Sequence, residues 1–458
     1  MGFRPIRAFP ELAPGRGPPR NAGARMMLWF YRLLFLPALL VLVPGYLLRM
    51  RRRGGYGANF RQRFGGHPEL PKTPRGVKRV WLQAVSVGEM LAIAPLLEAL
   101  HADGVEVYLT TTTSTGFRLA EERYRPLTIG LGYFPLDWWL FSARAWRRIA
   151  PDLVILMEGE RWPEHLHQAA RRGVPVIAIN ARMSDRSYAR LLLLPFAAPA
   201  MFAGVTRLLP GSAQDEARFR QLGVPAEKIL TTGNIKLDVE IPLLSTAGRA
   251  QLRRELGLPD GLVLLGSSTW QGEEEALVSA LHKIRTRTNC TLLLVPRHAE
   301  RRGEIDALLR LSGLRFNFRS AGSATGRVDV AVGDTTGELR QFTQLADVVF
   351  VGKSLAPHTE GQSPVEAAAL EKPILFGPGM SNFRVIAADL VARGAAREVA
   401  DPAALAAELL RLLGDELERE KLAAAAGQWH RENTGAVART LAVIREQLAK
   451  VPGGRPSN

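Results

Sequence analysis

Short apolar runs alternate with helix-length segments along most of the chain. The runs of the first half are VKRVWLQAVS, VEVYLTTTTS, DLVILMEGE, VPVIAINAR, RLLPGS and ILTTGN. The alternation restarts near Leu262 with LVLLGSS, TLLLVPRH, DVAVGD, DVVFVG and KPILFG. Apolar, β-branched runs that are separated by helices predict parallel sheets built from βαβ units. We therefore expect an α/β protein with two Rossmann-like, doubly wound domains and a cleft between them, with ligands beyond the carboxyl ends of the strands.

The same alternation predicts the domain boundaries. We expect one Rossmann-like domain over residues 51–237 and a second over residues 259–445. Residues 238–258 between them have the pattern of a linker with one helix, and residues 446–458 that of a flexible tail.

The N-terminal region is different in kind. Residues 1–25 are rich in Pro, Gly and Arg and predict a disordered basic arm, or lie upstream of a start at Met26 or Met27. The stretch MMLWFYRLLFLPALLVLVPGYLL, with one charge at Arg32, is followed by four arginines between residues 49 and 53. An apolar stretch of this length predicts a membrane-anchor helix over residues 26–50, and the arginines place the following domains on the cytoplasmic side.

Two alternatives to a spanning anchor remain at this stage. Pro37 and Pro44 each remove a backbone hydrogen bond, so a helix lying in the membrane interface is one of them. A buried core helix of a soluble protein is the other.

The net charge of +16 is concentrated at this same end of the chain. Residues 1–80 hold 16 Lys and Arg and two acids, so the remaining residues carry a net charge of only +2. A nucleic-acid-binding domain needs its excess of cations on the folded surface, and we therefore expect no nucleic-acid partner. One cysteine, Cys290, excludes an intramolecular disulfide and a Cys-based zinc site.

The motifs that are absent narrow the class of enzyme. The sequence has no GxxxxGK[ST] loop, no GxGxxG after a strand and no GxSxG, which removes the main support for nucleotide hydrolases, dinucleotide enzymes and α/β-hydrolases. Two Rossmann-like halves without these motifs suggest a glycosyltransferase of the GT-B kind or a related sugar-nucleotide enzyme, on the basis of fold alone.

One strand end carries candidate chemistry. VKRVWLQAV runs into Ser86, Val87, Gly88 and Glu89, where a helix begins. Gly88 lets a ligand approach the backbone, and the carboxylate of Glu89 is placed to take a proton from a sugar hydroxyl as general base. The alternative is that Glu89 only complements the helix dipole.

Eleven motifs in this order resemble the 3-deoxy-D-manno-octulosonic acid (Kdo) transferases of lipopolysaccharide synthesis, which move Kdo from CMP-Kdo to lipid A precursors. The resemblance covers about residues 28–445, and the motifs are VSVGE, TSTGFR, MEGERWP, NARMSDRS, GNIKLD, SSTWQGEE, VPRHAER, GDTTGEL, ADVVFVGKSL, SPVEAAAL and FGPGMSNF.

The resemblance implies roles for residues of the first domain, which would bind the acceptor. Glu89 matches the family's proposed catalytic base. Glu160 resembles its second acidic residue, with a structural ion pair as the alternative. Arg118 and Lys236 match basic positions near the donor or acceptor, with solvated surface charge as the alternative.

The resemblance places CMP-Kdo on the second domain. Arg297 with His298 would grip the phosphate, and the turn from Gly333 to Leu339 offers backbone amides to an anion. Glu366 resembles the acid that binds the nucleotide ribose, and Ser268 and Thr269 are either ligand contacts or helix caps. The complete set of predicted donor-binding residues is Ser268, Thr269, Arg297, His298, Gly337, Glu338, Ser354, Ser363, Glu366 and Asn382.

The match also has departures. Many family members carry a GGHNPLE-like loop where this chain has Thr359 to Glu366. The ribose-binding acid is kept, whereas the polar side chains of the loop differ, which affects discrimination of the base or donor and not the reaction class.

The reaction that the family implies is an inverting transfer of Kdo to lipid IVA. We expect no cofactor and no metal, since CMP-Kdo is a substrate and no Asp-x-Asp motif is present. The expected partners are CMP-Kdo, the lipid A precursor and lipids of a bacterial inner membrane. The alternatives are a non-catalytic, membrane-anchored sugar-nucleotide-binding protein and a GT-B transferase that uses another nucleotide sugar.

Overall fold

The computed structural model of the chain describes residues 28–35, 57–193, 201–239 and 241–451, together with Met26, Pro37, Val41 and Gly45. The described residues divide into two units. The first comprises those up to Lys236 together with those from Gly435 onwards, and the second runs from Leu237 to Thr434.

A six-stranded parallel sheet forms the centre of the first unit, in the order β3-β2-β1-β4-β5-β6. Val80 of β1 pairs with Val107 of β2 and Leu153 of β4, so β1 lies in the middle. Successive side chains of a strand point to opposite faces, and both faces are apolar: Val80 packs into one core and Trp81 into the other. The strands are β1 Arg79–Gln83, β2 Glu106–Thr111, β3 Gly130–Tyr133, β4 Leu153–Met157, β5 Val176–Ala181 and β6 Arg207–Pro210.

Helices cover the two faces of this sheet. Several begin at a Ser or Thr whose side chain accepts a backbone N–H, such as Ser86, Thr113 and Ser212. The helices of the first unit are α1 Val87–Ala92, α2 Ala94–Ala102, α3 Ser114–Tyr124, α4 Trp139–Ile149, α5 Pro163–Arg172, α6 Asp185–Leu192, α7 Ala213–Gln221 and, from the end of the chain, α16 Ala436–Lys450.

The second unit contains a seven-stranded parallel sheet in the order β13-β12-β11-β7-β8-β10-β9. Leu264 of the central strand β7 packs into the core on one face, and Val263 and Leu265 pack into the core on the other. The strands are β7 Leu262–Thr269, β8 Cys290–Pro296, β9 Phe316–Phe318, β10 Val330–Val332, β11 Val348–Val351, β12 Ile374–Phe376 and β13 Ala396–Glu398.

The helices of the second unit follow its strands and complete a doubly wound arrangement. They are α8 Thr246–Glu255, α9 Glu273–Arg285, α10 Arg302–Ser312, α11 Leu339–Leu345, α12 Val365–Ala369, α13 Arg384–Ala392, α14 Pro402–Gly414 and α15 Glu416–Asn433.

The domain boundaries differ from the predicted ones at both ends of the second unit. The predicted linker over residues 238–258 belongs to this unit, because Leu252, Leu256 and Leu258 are part of its core. The predicted end at residue 445 is wrong, because α16 runs from Ala436 to Lys450 and packs into the core of the first unit. Residues 446–450 of the predicted flexible tail are therefore helical.

The predicted disordered arm at residues 1–25 lies outside the described residues, as does most of the predicted anchor at 26–50. Within that segment, Met26 and residues 28–35 are helical, and we call them the N-terminal helix. Across the described ranges of the chain, no helix combines the length and the apolar character needed to cross a membrane.

Candidate functional site

Glu89 is held rigidly at the carboxyl end of β1. Its side chain is 7% exposed and accepts hydrogen bonds from the backbone N–H of Val85 at 2.8 Å and the hydroxyl of Ser86 at 3.2 Å. The Ser86 hydroxyl in turn accepts the backbone N–H of Glu89 at 3.3 Å, as in a capping box. Burial raises the pKa of Glu89, and these hydrogen bonds oppose the rise. The carboxylate is thus fixed in orientation and more basic than an exposed glutamate.

Val85, whose backbone N–H orients Glu89, is itself held by two threonines at and just beyond the end of β2. The carbonyl of Val85 accepts hydrogen bonds from the hydroxyls of Thr111 and Thr113, each at 3.0 Å. Thr113 also caps α3 by accepting the N–H of Gly116. A Cβ at Gly116 would lie 2.8 Å from both threonine hydroxyls, so glycine is required for this close packing.

A charged pair lies beside Glu89 and acts on its titration. Lys236 Nζ is 2.5 Å from Glu158 Oε1, and Asn180 Nδ2 donates to the same oxygen at 3.4 Å. The charge of Glu158 raises the pKa of Glu89, whereas Lys236 lowers it. Glu158 and Asn180 have positive φ values of 53° and 48°, which non-glycine residues seldom adopt and which often mark functional sites.

Glu160 extends this acidic cluster. Its Oε2 accepts a hydrogen bond from Trp162 Nε1 at 2.6 Å. Burial, with a further contribution from the charge of Glu89, raises the pKa of Glu160 to about 7. The first unit therefore brings Glu89, Glu160 and Lys236 close together and adds Glu158 and Asn180, which the sequence analysis missed. The roles predicted for Glu89, Glu160 and Lys236 stay predictions.

The other two predicted residues of the first unit are exposed. Gly88 has only the Ser86 hydroxyl near its Cβ position, at 4.0 Å, so the space beside it is open. Arg118 lies on α3 with its side chain in solvent. Neither observation tests their predicted contact with a ligand, which stays a prediction.

The predicted donor-binding residues lie at or beyond the carboxyl ends of strands in the second unit. Ser268 and Thr269 end β7, Arg297 and His298 follow β8, and the remaining predicted residues follow β10, β11 and β12. Arg297 is exposed and forms no ion pair with any residue that the structure describes. The predicted contact of its guanidinium with a ligand phosphate stays a prediction.

Glu273 organises this edge and was missed by the sequence analysis. Its buried carboxylate accepts four backbone N–H bonds, from Trp270, Lys353, Ser354 and Leu355, at 2.8 to 3.1 Å. Acids early in a helix usually signal only a favourable dipole interaction, and the sequence therefore gave no reason to expect this loop contact.

Ser354 has a structural role in the same loop. Its buried hydroxyl donates to the carbonyl of Val351 at 2.6 Å and accepts the N–H of Gly377 at 2.8 Å. The predicted donor contact by this side chain is corrected to a positioning role, because the hydroxyl already has a donor and an acceptor inside the fold.

An aromatic and basic group surrounds Trp270, two residues beyond Ser268. The ring of His298 is edge-on to Trp270 at 5.1 Å, and His358 lies at 5.7 Å. Lys353 Nζ lies 4.3 Å above the indole ring. Ser268 and Lys353 have positive φ values of 54° and 58°, so two adjacent strand ends carry strained backbone.

The remaining predicted donor-binding residues are spread over the segments that follow β10, β11 and β12. The carboxylate of Glu338 forms an ion pair with Arg319 at 3.2 Å. The backbone groups of this turn, where Gly337 has a positive φ, are not used by that ion pair. Glu366 is half-buried and 3.8 Å from Arg340. The Ser363 hydroxyl accepts the N–H of Val365, and the exposed Asn382 donates its N–H to the Glu360 carbonyl. No group of acids, histidines and cysteines suited to a metal is found within the described residues.

The two units, each built on a parallel sheet, match the fold of a solved structure. A glycosyltransferase from Rickettsia africae matches 82% of this chain and 100% of its own length with a TM-score of 0.55, at 11% identity, which shows the fold alone. Two doubly wound units with parallel sheets define an α/β, GT-B-like glycosyltransferase fold.

The family is defined by sequence. A model described as 3-deoxy-D-manno-octulosonic-acid transferase matches residues 58–239. The 3-deoxy-D-manno-octulosonic acid transferase of Bordetella pertussis is 35% identical over 415 residues, 87% of this chain and 94% of the relative. That of Haemophilus influenzae is 31% identical and covers 91% of this chain and 96% of the relative. The chain belongs to the Kdo transferase family and is a glycosyltransferase of lipopolysaccharide biosynthesis.

Proposed function

We propose that the chain transfers Kdo from CMP-Kdo to the lipid A precursor lipid IVA in one inverting displacement, with Glu89 as general base and without a metal. The observation that supports this most directly is the buried carboxylate of Glu89, oriented by Val85 and Ser86 and raised in pKa. A positioned carboxylate whose pKa is closer to neutrality is a more effective base at physiological pH.

In this mechanism Glu89 takes the proton from a primary hydroxyl of the acceptor. The hydroxyl oxygen forms a bond to the anomeric carbon of Kdo, while the bond from that carbon to the phosphate oxygen of CMP breaks. The pKa of Glu160 of about 7 means that this neighbour is partly protonated near neutral pH. A protonated Glu160 can donate a hydrogen bond to a sugar oxygen, which suits a role in binding the acceptor or Kdo.

The second unit would bind the donor. Arg297 is exposed and unpaired among the described residues, and it would stabilise the phosphate charge as CMP departs. The positive φ of Ser268 and the amides near Gly337 place backbone groups at the same edge of the sheet. Glu366 would accept hydrogen bonds from the ribose.

We further propose that the enzyme works at the cytoplasmic face of a bacterial inner membrane. The acceptor is an amphiphile, and binding it at the membrane surface avoids its extraction into water. The apolar segment between Met26 and Leu48 and the arginines that follow supply the apolar and basic groups for such a location.

The test is transfer by the purified full chain, with CMP-Kdo generated in situ and lipid IVA as acceptor. We expect Glu89→Ala to lower transfer at least about a hundredfold, as for loss of a general base, while CMP-Kdo binding is nearly unchanged. Glu98→Ala is the matched control, since Glu98 is an exposed acid on the adjacent helix α2. Wild-type turnover by Glu89→Ala would refute the role of Glu89.

The same assay separates the alternatives. Binding of CMP-Kdo without product would indicate a non-catalytic sugar-nucleotide-binding protein. Transfer from another nucleotide sugar, with none from CMP-Kdo, would assign a different donor.

A further inference from the structure

The loop after β11 holds Lys353 in an uncommon backbone conformation. Its φ is 58°, in the left-handed region that residues with a Cβ seldom adopt. The backbone N–H of Lys353 donates to the buried carboxylate of Glu273 at 2.8 Å, and its carbonyl accepts the N–H of Gly361 at 2.8 Å. Hydrogen bonds on both sides of the residue therefore impose the conformation, and the lysine side chain projects from a fixed point.

The ammonium group of Lys353 has two partners, an aromatic ring and a carboxylate. Nζ lies 4.3 Å from the centre of the Trp270 ring and 3.3 Å from Glu360 Oε1. The lysine side chain is 19% exposed, whereas that of Glu360 is 44% exposed. An ion pair with one partner largely in solvent contributes little to stability. The cation is thus mostly covered by the fold, while its counter-ion can be exchanged for a ligand anion.

Lys353 lies near the residue that is predicted to bind the donor phosphate. Lys353 follows β11 and Arg297 follows β8, and these strands flank β7 in the sheet. The backbone N–H of Arg297 donates to the carbonyl of Thr269 at 3.1 Å. The ring of Trp270, which follows β7, contacts Lys353 and also the ring of His298 at 5.1 Å. The structure therefore brings a second cation to the same edge of the sheet as Arg297.

The donor of the proposed reaction carries two anionic groups on one carbon. Kdo is an ulosonic acid, and its anomeric carbon bears a carboxylate as well as the phosphate ester of CMP. A nucleotide-activated aldose has a hydrogen atom in place of this carboxylate. A site that distinguishes the two kinds of donor needs a cation for the carboxylate beside the cation for the phosphate. Lys353 and Arg297 have this arrangement.

We propose that Lys353 binds the carboxylate of the donor sugar, which takes the place of Glu360, and that this contact makes the second unit selective for nucleotide-activated ulosonic acids. The inference rests on the proposed function, because it takes CMP-Kdo as the donor. Without a donor, Glu360 neutralises the ammonium group. With a donor bound, the exposed side chain of Glu360 turns into solvent and Trp270 still contacts the cation.

The contact is tested by comparing CMP with freshly synthesised CMP-Kdo, each in competition with a fluorescent CMP analogue for the purified full chain. We expect Lys353→Met to weaken CMP-Kdo binding at least about tenfold, as for loss of a hydrogen bond to a charged group, and to change CMP binding less than about twofold. Lys353→Arg keeps the charge and should restore most of the affinity. Lys283→Met, at an exposed position of α9, is the matched control and should leave both affinities unchanged.

Two results would overturn the proposal. Equal weakening of CMP and CMP-Kdo by Lys353→Met would assign Lys353 a structural role in the loop. Unchanged binding of both ligands would show that Lys353 does not contact the donor.

The exchange of carboxylates is tested by Glu360→Gln, which removes the competing charge. We expect CMP-Kdo to bind about two- to fivefold more tightly, in the range of an exposed ion pair, with CMP unchanged. This gain should disappear when Lys353→Met is added. Unchanged or weaker binding of CMP-Kdo by Glu360→Gln would refute the exchange.

Binding and transfer together separate this inference from the proposed function. Selective loss of CMP-Kdo binding in Lys353→Met, in a chain whose wild type transfers no Kdo to lipid IVA, would support the inference and refute the proposed function. Transfer by Lys353→Met with the wild-type KM for CMP-Kdo would refute the inference and leave the proposed function intact.

Discussion

Lys236 influences the pKa of the Glu89 carboxyl group through its charge. Its cation lowers the pKa of Glu89 and pairs with Glu158, whose charge raises that pKa. Removing the cation takes away the lowering effect and leaves Glu158 unpaired, so both changes raise the pKa of Glu89. A general base is active when it is deprotonated. When the pH is lowered, a variant in which the pKa of Glu89 is raised should therefore lose activity at a higher pH than the wild type does.

We expect Lys236→Met to move the acid limb of the kcat/KM profile for transfer to higher pH. Arg123→Met is the control, because Arg123 is exposed on α3 and is not among the groups that shift the pKa of Glu89. A profile of Lys236→Met that coincides with the wild type in its acid limb would contradict the proposed coupling.

For two glycines near Glu89, we expect substitution by alanine to have opposite effects on stability. A Cβ at Gly88 meets nothing closer than 4.0 Å, whereas one at Gly116 would lie 2.8 Å from two threonine hydroxyls. In a helix, Gly88→Ala should leave stability equal or raise it by up to about 1 kcal/mol. Gly116→Ala should cost about 1–3 kcal/mol through overpacking.

Urea denaturation measures both changes. If the open space at Gly88 admits a ligand, Gly88→Ala should also reduce transfer while remaining folded. A stable Gly88→Ala enzyme with full activity would remove Gly88 from the predicted binding residues.

At the scale of elements, Glu273 shows how one side chain ties two strands together. It begins α9, and its carboxylate binds the N–H groups of residues 353–355 beyond β11. Glu273→Gln keeps the shape but loses the charge, and we expect a loss of about 2–4 kcal/mol in the free energy of unfolding.

Glu275 provides the comparison on the same helix. It is exposed and caps Gly272 with one hydrogen bond at 2.8 Å. Glu275→Gln should cost no more than about 1 kcal/mol, since an amide can still accept this bond. Equal destabilisation by the two substitutions in urea would show that the four-amide contact is not important for stability.

Most of the apolar runs were predicted correctly as strands, and the strands that have no such run were missed. Ten of the eleven runs contain a strand of the two sheets, because Val, Ile and Leu dominate them. ILTTGN forms only an isolated bridge between Ile229 and Leu208. The sheet-edge strands β3, β9 and β13 were missed, since GLGY, FNF and ARE have no extended apolar run.

Some residues of the candidate site were identified from the sequence, and others were not. Glu89, Glu160 and Lys236 stand in motifs with identifiable chemistry, and the structure brings them into one cluster. The distinguishing feature of Glu158 and Asn180 is a positive φ. That of Glu273 is its contact with backbone amides beyond another strand. The spacing of residues along the sequence predicts neither feature.

At the scale of the whole chain, the two units are not consecutive segments. The chain leaves the first unit at Lys236, builds the second and returns at Gly435. The helix α16 then buries Leu441, Ile444 and Leu448 in the core of the first unit. Hydrogen bonds support the return, since Arg439 Nε donates to the carbonyl of Thr232 at 2.8 Å. Periodicity reports that α16 is a helix but not which sheet it covers, and the predicted boundary failed there.

This topology predicts which fragment folds. Residues 237–434 contain the whole core of the second unit, and we expect them to unfold cooperatively in urea as an independent domain. Residues 259–445, the boundaries that the sequence suggested, lack Leu252, Leu256 and Leu258 of that core. Loss of each buried leucine costs about 2–5 kcal/mol. The summed loss for the three leucines is comparable to the whole free energy of unfolding of a domain, roughly 5–15 kcal/mol.

Circular dichroism during urea titration distinguishes the two fragments. The fragment 259–445 should show a lower midpoint or no cooperative transition, and its extra residues from α16 should add no protection because their partners lie in the first unit. A midpoint equal to that of 237–434 would mean that α8 and the residues after it are dispensable, and that the division of the chain at Lys236 and Gly435 does not describe its folding units.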